Sequence, residues 1–356
     1  MRIRPVAVLV LALPMACSHT EPFPTDPPGP GGPFDPIPPI RLTFNPGQDL
    51  APSWRITRPG LLYSFQTSQP DSDICIGLLP AGGGARTGEK CFLGDPAGTS
   101  RNVLAEPTEG PTGRLAWVET HHPVALFTPL RTVLRAGSFA RADSGMVVRE
   151  MPYFAPSGIT HSIMTHLAWL GPDTLAVIAA DVSYQQPPGC PNCPLDTVLV
   201  NPEIALFDLG QSPAAETDIP GTLGATSLWL SADGTALVYT IAADSQVYRQ
   251  ALVGGTVSVV HNFGTGRVVR DAQISANRLW AVVDGATGGP VDRGGHLTVV
   301  DLSNGQETLY PDIAHYFRRP AVAASGARVA VQTYGVTYPA PDTIVETVAD
   351  LWLVDQ

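Results

Sequence analysis

The sequence predicts an all-β protein, a six-bladed β-propeller whose N-terminal strand closes the last blade. Gly and Pro interrupt the chain throughout: 36 of the 356 residues are Pro and 35 are Gly, and the longest segment free of both is residues 235–253. Helical bundles and ordinary α/β enzymes need many uninterrupted amphipathic segments, so these classes are disfavoured. One strand pattern also recurs with a period of about 40 to 50 residues, which is typical of a propeller.

Residues 1–17 are typical of an export signal. Arg2 and Arg4 precede an apolar run at 6–13. That run is too short to span a bilayer, which needs about 20 helical residues. Residues 13–17, Leu-Pro-Met-Ala-Cys, resemble the lipobox of bacterial lipoproteins, which implies a lipid on Cys17. Ser18 then favours an outer-membrane lipoprotein. The alternative is an ordinary signal peptide that carries a Cys.

Residues 18–39 are predicted to be a Pro-rich, disordered tether. Between Glu21 and Ile40, nine of twenty residues are Pro and three are Gly. Such a composition favours extended polyproline conformation and does not pack into a core. We therefore expect residues 40–356 to form the propeller domain, held away from its anchor.

Four cysteines remain besides Cys17, an even number that fits an oxidising compartment. Cys75 and Cys91 flank a Gly-rich turn at 81–84, so a disulfide between neighbouring strands is predicted. Cys190 and Cys193 lie in a Pro-rich loop, where a structural disulfide is predicted. Redox or metal chemistry is the alternative there, but a zinc site would need a second pair of ligands.

Each repeat begins with an apolar anchor, and a β-hairpin follows. Four to seven residues separate the anchor from the next strand and usually include Gly, Pro, Asp or Asn, as a hairpin requires. The anchors and their following strands are Trp54 with 61–65, Trp169 with 175–179, Trp229 with 237–240, Ile274 with 279–283, and Val322 with 329–333. Third strands are predicted at 73–76, 203–209, 246–252, 296–302 and 350–354.

Two periods fit between the first two anchors. Trp54 and Trp169 are 115 residues apart, so a less regular unit is predicted between them, with strands at 114–119, 132–134 and 146–151. This unit brings the number of blades to six.

Residues 51–54, Ala-Pro-Ser-Trp, preceded by Asp49, resemble the WD40-like repeats of the periplasmic TolB propeller family. Residues 231–234, Ser-Ala-Asp-Gly, precede an alternating strand in the same way, and Asp73-Ile74 corresponds to the family's Asp-Ile-Tyr. The resemblance spans residues 41–356 and implies a propeller of the bacterial cell envelope.

The last repeat predicts how the ring closes. Its third strand at 350–354 has no fourth strand after it in the sequence. Residues 40–44 resemble the missing strand and lie just before the first anchor. We therefore expect residues 40–44 to pair with residues 350–354, which removes a sheet edge and ties the chain ends together.

Motifs of catalysis are absent from the sequence. It contains no Gly-x-Ser-x-Gly elbow and no phosphate-binding Gly loop before a helix, and its eight His residues do not have zinc-motif spacing. No cofactor and no metal are therefore expected. The net charge of −11 and the lack of any basic run disfavour nucleic acid as a partner.

The candidate binding residues are charged side chains predicted to lie in loops that enter the inner strands, around one mouth of the central channel. They are Asp49, Glu109, His166, Asp271, Arg318 and Arg319. A mixed acidic and basic ring suits a peptide or protein ligand better than a metal ion. The alternative is that these are ordinary solvated loop residues.

Three functions remain open from the sequence. The first is a non-enzymatic, lipid-anchored binding protein of the cell envelope, facing the periplasm or the cell surface, whose partner is a protein, a peptide or a glycan. The second is a propeller enzyme, such as a metal-assisted lactonase or hydrolase or a cyclase, with several channel residues converging on one ion. The third is an envelope assembly or adhesion subunit that uses the side of the propeller.

Overall fold

A computed structural model describes most of the predicted propeller domain. The described residues are 39–66, 73–92, 100–123, 131–152, 161–185, 196–231, 233–275, 277–287, 295–311, 316–323, 328–334, 336–337, 345–346 and 348–355. The predicted signal peptide, nearly all of the predicted tether, Cys17, Cys190 and Cys193 lie outside these ranges. Within the ranges every regular element is a β-strand, and no helix there has the length and apolar character needed to cross a membrane.

The strands alternate with short turns along the whole described chain. Those of the first half are β1 (Ile40–Arg41), β2 (Asp49–Trp54), β3 (Leu61–Gln66), β4 (Ile74–Leu79), β5 (Gly88–Lys90), β6 (Ser100–Glu109), β7 (Leu115–Pro123), β8 (Arg131–Gly137), β9 (Met146–Pro152), β10 (His161–Trp169), β11 (Thr174–Gln185), β12 (Asp196–Asp208) and β13 (Ala215–Asp218). Those of the second half are β14 (Ala225–Leu230), β15 (Ala236–Ile241), β16 (Gln246–Ala251), β17 (Val257–Asn262), β18 (Val268–Ser275), β19 (Arg278–Asp284), β20 (His296–Asp301), β21 (Gln306–Leu309), β22 (Tyr316–Val322), β23 (Val329–Tyr334), β24 (Val336–Thr337), β25 (Val345–Glu346) and β26 (Asp350–Asp355).

These strands form four-stranded sheets and one larger sheet. The four-stranded sheets have the orders β1-β26-β23-β22, β10-β11-β12-β13, β14-β15-β16-β17 and β18-β19-β20-β21. The larger sheet has eight strands in the order β2-β3-β4-β6-β7-β8-β9, with β5 paired to β4. Its two halves meet at one parallel pair, Ile74 with Val103, between β4 and β6. β24 and β25 form a small separate ribbon.

The described sheets surround a common centre, as in a β-propeller. The first strands of the successive groups contact one another in the order β2, β6, β10, β14, β18 and β22, and β22 contacts β2 again. Buried apolar clusters fill the spaces between successive groups: one joins Leu62 and Ile76 to Leu104 and Trp117, for example. The all-β propeller prediction is therefore confirmed.

Burial along the strands follows from this stacking. The middle strands β3 and β15 are buried on both faces because each lies between two neighbouring sheets. The outer strands β13, β17 and β21 are mostly exposed. The apolar runs of the middle strands thus reflect a sheet covered on both sides rather than a sheet with one solvated face.

The predicted hairpins are present with the expected register. Trp54 pairs with Leu61, Trp169 with Leu175, and Val322 with Val329. The irregular unit was predicted incompletely. Its second to fourth strands, β7 to β9, lie where expected, but its first strand, β6, was missed because the polar residue Glu109 stands at the end of that strand in place of a Trp.

The N-terminal strand closes the last sheet as predicted. Ile40 pairs with Leu353 and Arg41 with Trp352, and the amide of Leu42 donates to the carbonyl of Leu351 at 2.7 Å. This pairing covers the edge of β26.

The predicted disulfide between Cys75 and Cys91 is also present. Its Cα atoms lie 4.5 Å apart, and it joins β4 to the segment that follows β5.

Candidate functional site

Four of the first strands carry a β-bulge near their middle. In β2, β6, β10 and β22 the register shifts, and at each shift one residue other than Gly has a positive φ. These residues are Ala51 (φ 49°), Glu106 (56°), His166 (51°) and Arg319 (53°). A bulge redirects side chains from the regular alternation of a strand. The bulges thus lie at comparable places around the central channel.

Glu106 and Arg319 form the centre of a charged cluster in the channel. Arg319 Nη1 donates to Glu106 Oε2 at 2.5 Å, and Nη2 donates to Glu106 Oε1 at 2.7 Å, which is a bidentate pair. Arg319 Nη2 also donates to the hydroxyl of Thr165 at 3.0 Å, and the backbone amide of His166 donates to Glu106 Oε2 at 3.0 Å. Three separate strands therefore meet at one carboxylate.

His166 and Asp271 extend this cluster. His166 Nε2 lies 3.6 Å from Asp271 Oδ2, longer than a hydrogen bond, while Trp229 Nε1 donates to Asp271 Oδ1 at 3.0 Å. His166 Nε2 is buried and has no hydrogen-bond partner among the described residues. Glu106, His166, Asp271 and Arg319 are named the channel cluster below.

The acids of the channel cluster are held in their ionised form. Burial by itself raises the pKa of Glu106, but the charges of Arg319 and His166 and their hydrogen bonds outweigh it, so the pKa lies below the usual value. Burial likewise raises the pKa of Asp271, and the facing His166, then Arg319 and Trp229, lower it below the usual value. The cluster is thus a set of mutually compensating charges.

A funnel of about 500 Å³ opens beside the channel cluster. Its walls are formed mainly by the last residues of the first strands and the turns after them. They include Trp54, Trp169, Trp229, Ile274 and Val322. A smaller cavity of about 20 Å³, bounded by Glu106, His166 and Arg319, shares Trp229 and Leu167 with the funnel. The small cavity next to the channel cluster is therefore adjacent to the funnel.

The three Trp side chains of the funnel are fixed by hydrogen bonds to other sheets. Trp54 Nε1 donates to the carbonyl of Ala321 at 2.9 Å, and Trp169 Nε1 donates to the carbonyl of Thr108 at 3.4 Å. Trp229 is held by Asp271 of the channel cluster. Because each indole N–H is already used within the protein, the rings present apolar surface to the funnel.

The structure brings only some of the predicted site residues together. His166, Asp271 and Arg319 belong to the channel cluster, but they lie within strands and not in the predicted entry loops. Glu109 lines the funnel, yet its carboxylate accepts hydrogen bonds from Arg55 and from the amides of Ile56 and Thr57. Burial raises the pKa of Glu109, but these donors outweigh it and hold the pKa below the usual value.

Asp49 and Arg318 border neither the funnel nor the small cavity. Asp49 is fully buried at the start of β2, where Asn45 Nδ2 donates to it at 2.9 Å. Arg318 is exposed, and its charge acts on Asp284. Asp49 and Arg318 therefore do not belong to the channel cluster, and the arrangement of all six residues around one mouth stays a prediction.

Glu106 is the cluster residue that the sequence analysis missed. His166, Asp271 and Arg319 each stand three residues before an anchor, namely Trp169, Ile274 and Val322. The same offset from Glu109, the last residue of β6, leads to Glu106. This three-residue offset is visible in the sequence. It leads to Glu106 only once Glu109 is known to stand in the position of the apolar anchor.

A metal site is not formed by the residues described. No group of three or more His, Cys, Asp or Glu side chains among them is placed to hold an ion.

Comparisons with known proteins give distant structural likenesses only. No family model and no curated protein matches the chain. Among solved structures, TolB from Acinetobacter baumannii is 13% identical over 83% of this chain and 63% of its own length, so the chain spans less than two thirds of it, with a TM-score of 0.45. A gluconolactonase from Xanthomonas campestris is 12% identical over 93% of this chain and 98% of its own, with a TM-score of 0.46.

An oligogalacturonate lyase in complex with manganese is 12% identical over 88% of this chain and 78% of its own, with a TM-score of 0.49. The likeness of the chain to each of these structures is distant.

Proposed function

We propose that the chain is a six-bladed propeller and a non-enzymatic binding protein of the bacterial cell envelope. Division of the eight-stranded sheet at the single pair Ile74–Val103 gives two blades, β2 to β5 and β6 to β9, beside the four separate sheets. The strand β1 then completes the sixth blade.

The apolar funnel is the observation that supports a binding function. Its wall carries three Trp side chains held by hydrogen bonds within the protein, and its charged wall residue Glu109 is neutralised by Arg55. At its narrow end, both oxygens of Glu106 are taken up by Arg319 and His166. The carboxylates are therefore engaged with protein cations and amides, whereas a metal-assisted lactonase would need them to converge on an ion.

A peptide or a protein segment with large apolar side chains fits the funnel best. A volume of about 500 Å³ lies within the range of small-ligand pockets. Six of the lining side chains are polar, namely Ser53, Thr108, Glu109, Ser231, Gln273 and Ser275, and the rest of the wall is mainly apolar. A glycan presents many hydroxyl groups that each need a hydrogen-bond partner. Fixed Trp rings supply contact area at low entropic cost.

Photo-crosslinking tests this proposal. Gly171 lines the funnel, and a Cβ at this position meets no atom within 4 Å, so a photo-crosslinking amino acid in its place should leave the fold intact. Irradiation in intact cells should attach a peptide or protein of defined mass, and Trp229→Ala in the same chain should reduce the yield several-fold. The matched control carries the crosslinker at Val253, which is 90% exposed and lies outside the funnel. Equal products from both positions would refute binding in the funnel.

The proposed location rests on the N-terminal sequence. The lipobox-like segment ending in Cys17, followed by the Pro-rich residues 18–39, supports an outer-membrane lipoprotein tethered through its N-terminal lipid. Growth with a clickable palmitate analogue should label the protein, and Cys17→Ser should abolish both the label and the membrane association. Cys75→Ser serves as the control for loss of a different cysteine and should retain the label. Labelling that survives Cys17→Ser would exclude this anchor.

A further inference from the structure

A second cavity, of about 180 Å³, lies outside the channel and combines charged with aromatic side chains. It is bordered by the end of β5, by β7 and β8, and by the turn after β8. Its wall includes Lys90, Phe92, Trp117, Arg135 and Arg141. None of these residues belongs to the funnel or to the channel cluster.

Lys90 is the single lysine of a chain with a net charge of −11, and it is buried in the wall of this cavity. Its Nζ donates to the carbonyl of Ala140 at 2.8 Å and to the carbonyl of Asp143, and it lies 4.8 Å from the centre of the Trp117 ring. Among the described residues it forms no salt bridge with a carboxylate. Burial lowers the pKa of Lys90, although the charges of Asp143 and Glu119 oppose the shift.

The two acidic side chains of the cavity wall, Glu119 and Asp143, already accept hydrogen bonds from other groups of the protein. Glu119 accepts hydrogen bonds from Arg135 Nε at 2.6 Å and lies 2.5 Å from His121 Nε2. The side chain of Asp143 accepts from the backbone amides of Ser138 and Gly145. Arg135 and Glu119 thus neutralise each other within the wall, and Lys90 and Arg141 share one further carboxylate, Asp143, which leaves one positive charge in excess.

Trp117 supplies a further unused donor. Its side chain is 1% exposed, and its Nε1 has no hydrogen-bond partner among the described residues. Leaving such a donor unpaired in the interior is unfavourable. Its ring and that of Phe92 also give the cavity an apolar wall. The cavity thus joins cationic side chains to aromatic surface in a volume that holds about six water-sized groups.

We propose that this cavity binds a small organic carboxylate. Its anionic group neutralises the excess charge of Lys90, Arg135 and Arg141, and its carbon skeleton packs on the rings of Phe92 and Trp117. A free phosphate ion shares the charge but has no apolar part, so it should bind more weakly.

Calorimetric titration of the purified full-length protein tests the proposal. Benzoate should saturate one site, whereas benzamide, which has nearly the same shape but no charge, should bind at least tenfold more weakly, as should inorganic phosphate. Arg141→Ala should weaken benzoate binding about tenfold, because a hydrogen bond to a charged group contributes roughly 1.5–3 kcal/mol. Arg141 is exposed, so its removal should leave the melting temperature unchanged. Arg249→Ala, an exposed arginine paired with Asp233 in another sheet, is the matched control and should leave benzoate affinity unchanged.

Three results would overturn the proposal. Equal affinity for benzamide and benzoate would remove the role of charge. Phosphate binding as tightly as benzoate would remove the role of Phe92 and Trp117. Benzoate affinity that is the same in Arg141→Ala and in the wild type would place the bound benzoate elsewhere.

Discussion

The buried acidic side chains of this protein differ in whether a positively charged side chain forms an ion pair with them. Glu106 and Glu109 each face an arginine, and their pKa values lie below the usual range despite burial. Asp49 is equally buried, but its hydrogen bond comes from the neutral Asn45, and its Oδ2 has no partner among the described residues. Burial therefore raises the pKa of Asp49 from 3.8 to about 6, although Asn45 and Thr43 oppose the shift. We therefore expect the ionised carboxylate of Asp49 to destabilise the folded protein at neutral pH.

Asp49→Asn should stabilise the folded protein at pH 7. The carboxyl of Asp49 is ionised above pH 6 in both the folded and the unfolded state, and burying that charge costs up to about 3 kcal/mol, since one pKa unit corresponds to about 1.4 kcal/mol. The folded state binds the proton more tightly than the unfolded chain, so the wild type gains stability as pH falls from 7 towards 4. The advantage of Asn, measured by urea unfolding, should shrink over this window and vanish near pH 4.

Asp233→Asn is the control of opposite sign. The hydroxyl of Ser231, then the backbone and side chain of Thr235, lower the pKa of Asp233 to about 2. Its ionised form is therefore favoured by folding, and the Asn variant should be slightly less stable than the wild type at pH 7. A benefit of Asp49→Asn that is equal at pH 4 and pH 7 would contradict the electrostatic explanation.

The shortest element of the main sheets, β1, has a structural role out of proportion to its length. It has two residues, but the chain that follows it places Leu42 in an apolar cluster with Leu351 and Leu353. The hydroxyl of Thr43 accepts a hydrogen bond from the amide of Leu351 at 3.0 Å. The seam between the two ends of the domain therefore depends on side-chain burial as well as on strand pairing.

Leu42→Ala should lower the free energy of unfolding by about 2–5 kcal/mol, because it removes a side chain that is 3% exposed and leaves a cavity at the seam. Phe44→Ala changes a larger side chain two residues later, but Phe44 is 73% exposed and its main contact is the guanidinium of Arg41, 5.0 Å from the ring centre. It should cost less than about 1 kcal/mol. Chemical unfolding of both variants checks the difference, and equal losses would mean that the seam does not carry this stability.

The ring of sheets brings residues that are far apart in the sequence into contact. Glu106 and Arg319 are 213 residues apart in sequence and form the bidentate pair of the channel cluster. Arg41 and Asp350 are 309 residues apart and meet at the seam. Arg41 meets Asp350 because β1 pairs with β26 within the last sheet, and Glu106 meets Arg319 because the first strands β6 and β22 both face the centre of the ring. Closure of the ring and assembly of the channel cluster are thus consequences of one arrangement.

The sequence predicted strand ends and turns correctly where a local residue pattern marks them. The apolar anchors Trp54, Trp169 and Val322 marked the ends of first strands, and Gly- or Pro-containing turns marked the hairpins. It failed at β6, where Glu109 replaced the apolar anchor, and so it also missed Glu106. An ion pair with Arg55 stabilises Glu109 at that position. Because Arg55 lies 54 residues away in the sequence, no local pattern predicts this ion pair.

The sequence by itself determined the alternation of strands and turns, the closing of the last sheet by residues near 40, and the pairing of Cys75 with Cys91. These features depend on residue type and on the twofold period of a strand, both of which can be read locally. Only the tertiary structure decided which charges meet, because Glu106, His166, Asp271 and Arg319 come from four different strands. It buried Asp49 and left Arg318 exposed, since the direction of a side chain depends on register and bulges, and these are fixed when the sheets assemble.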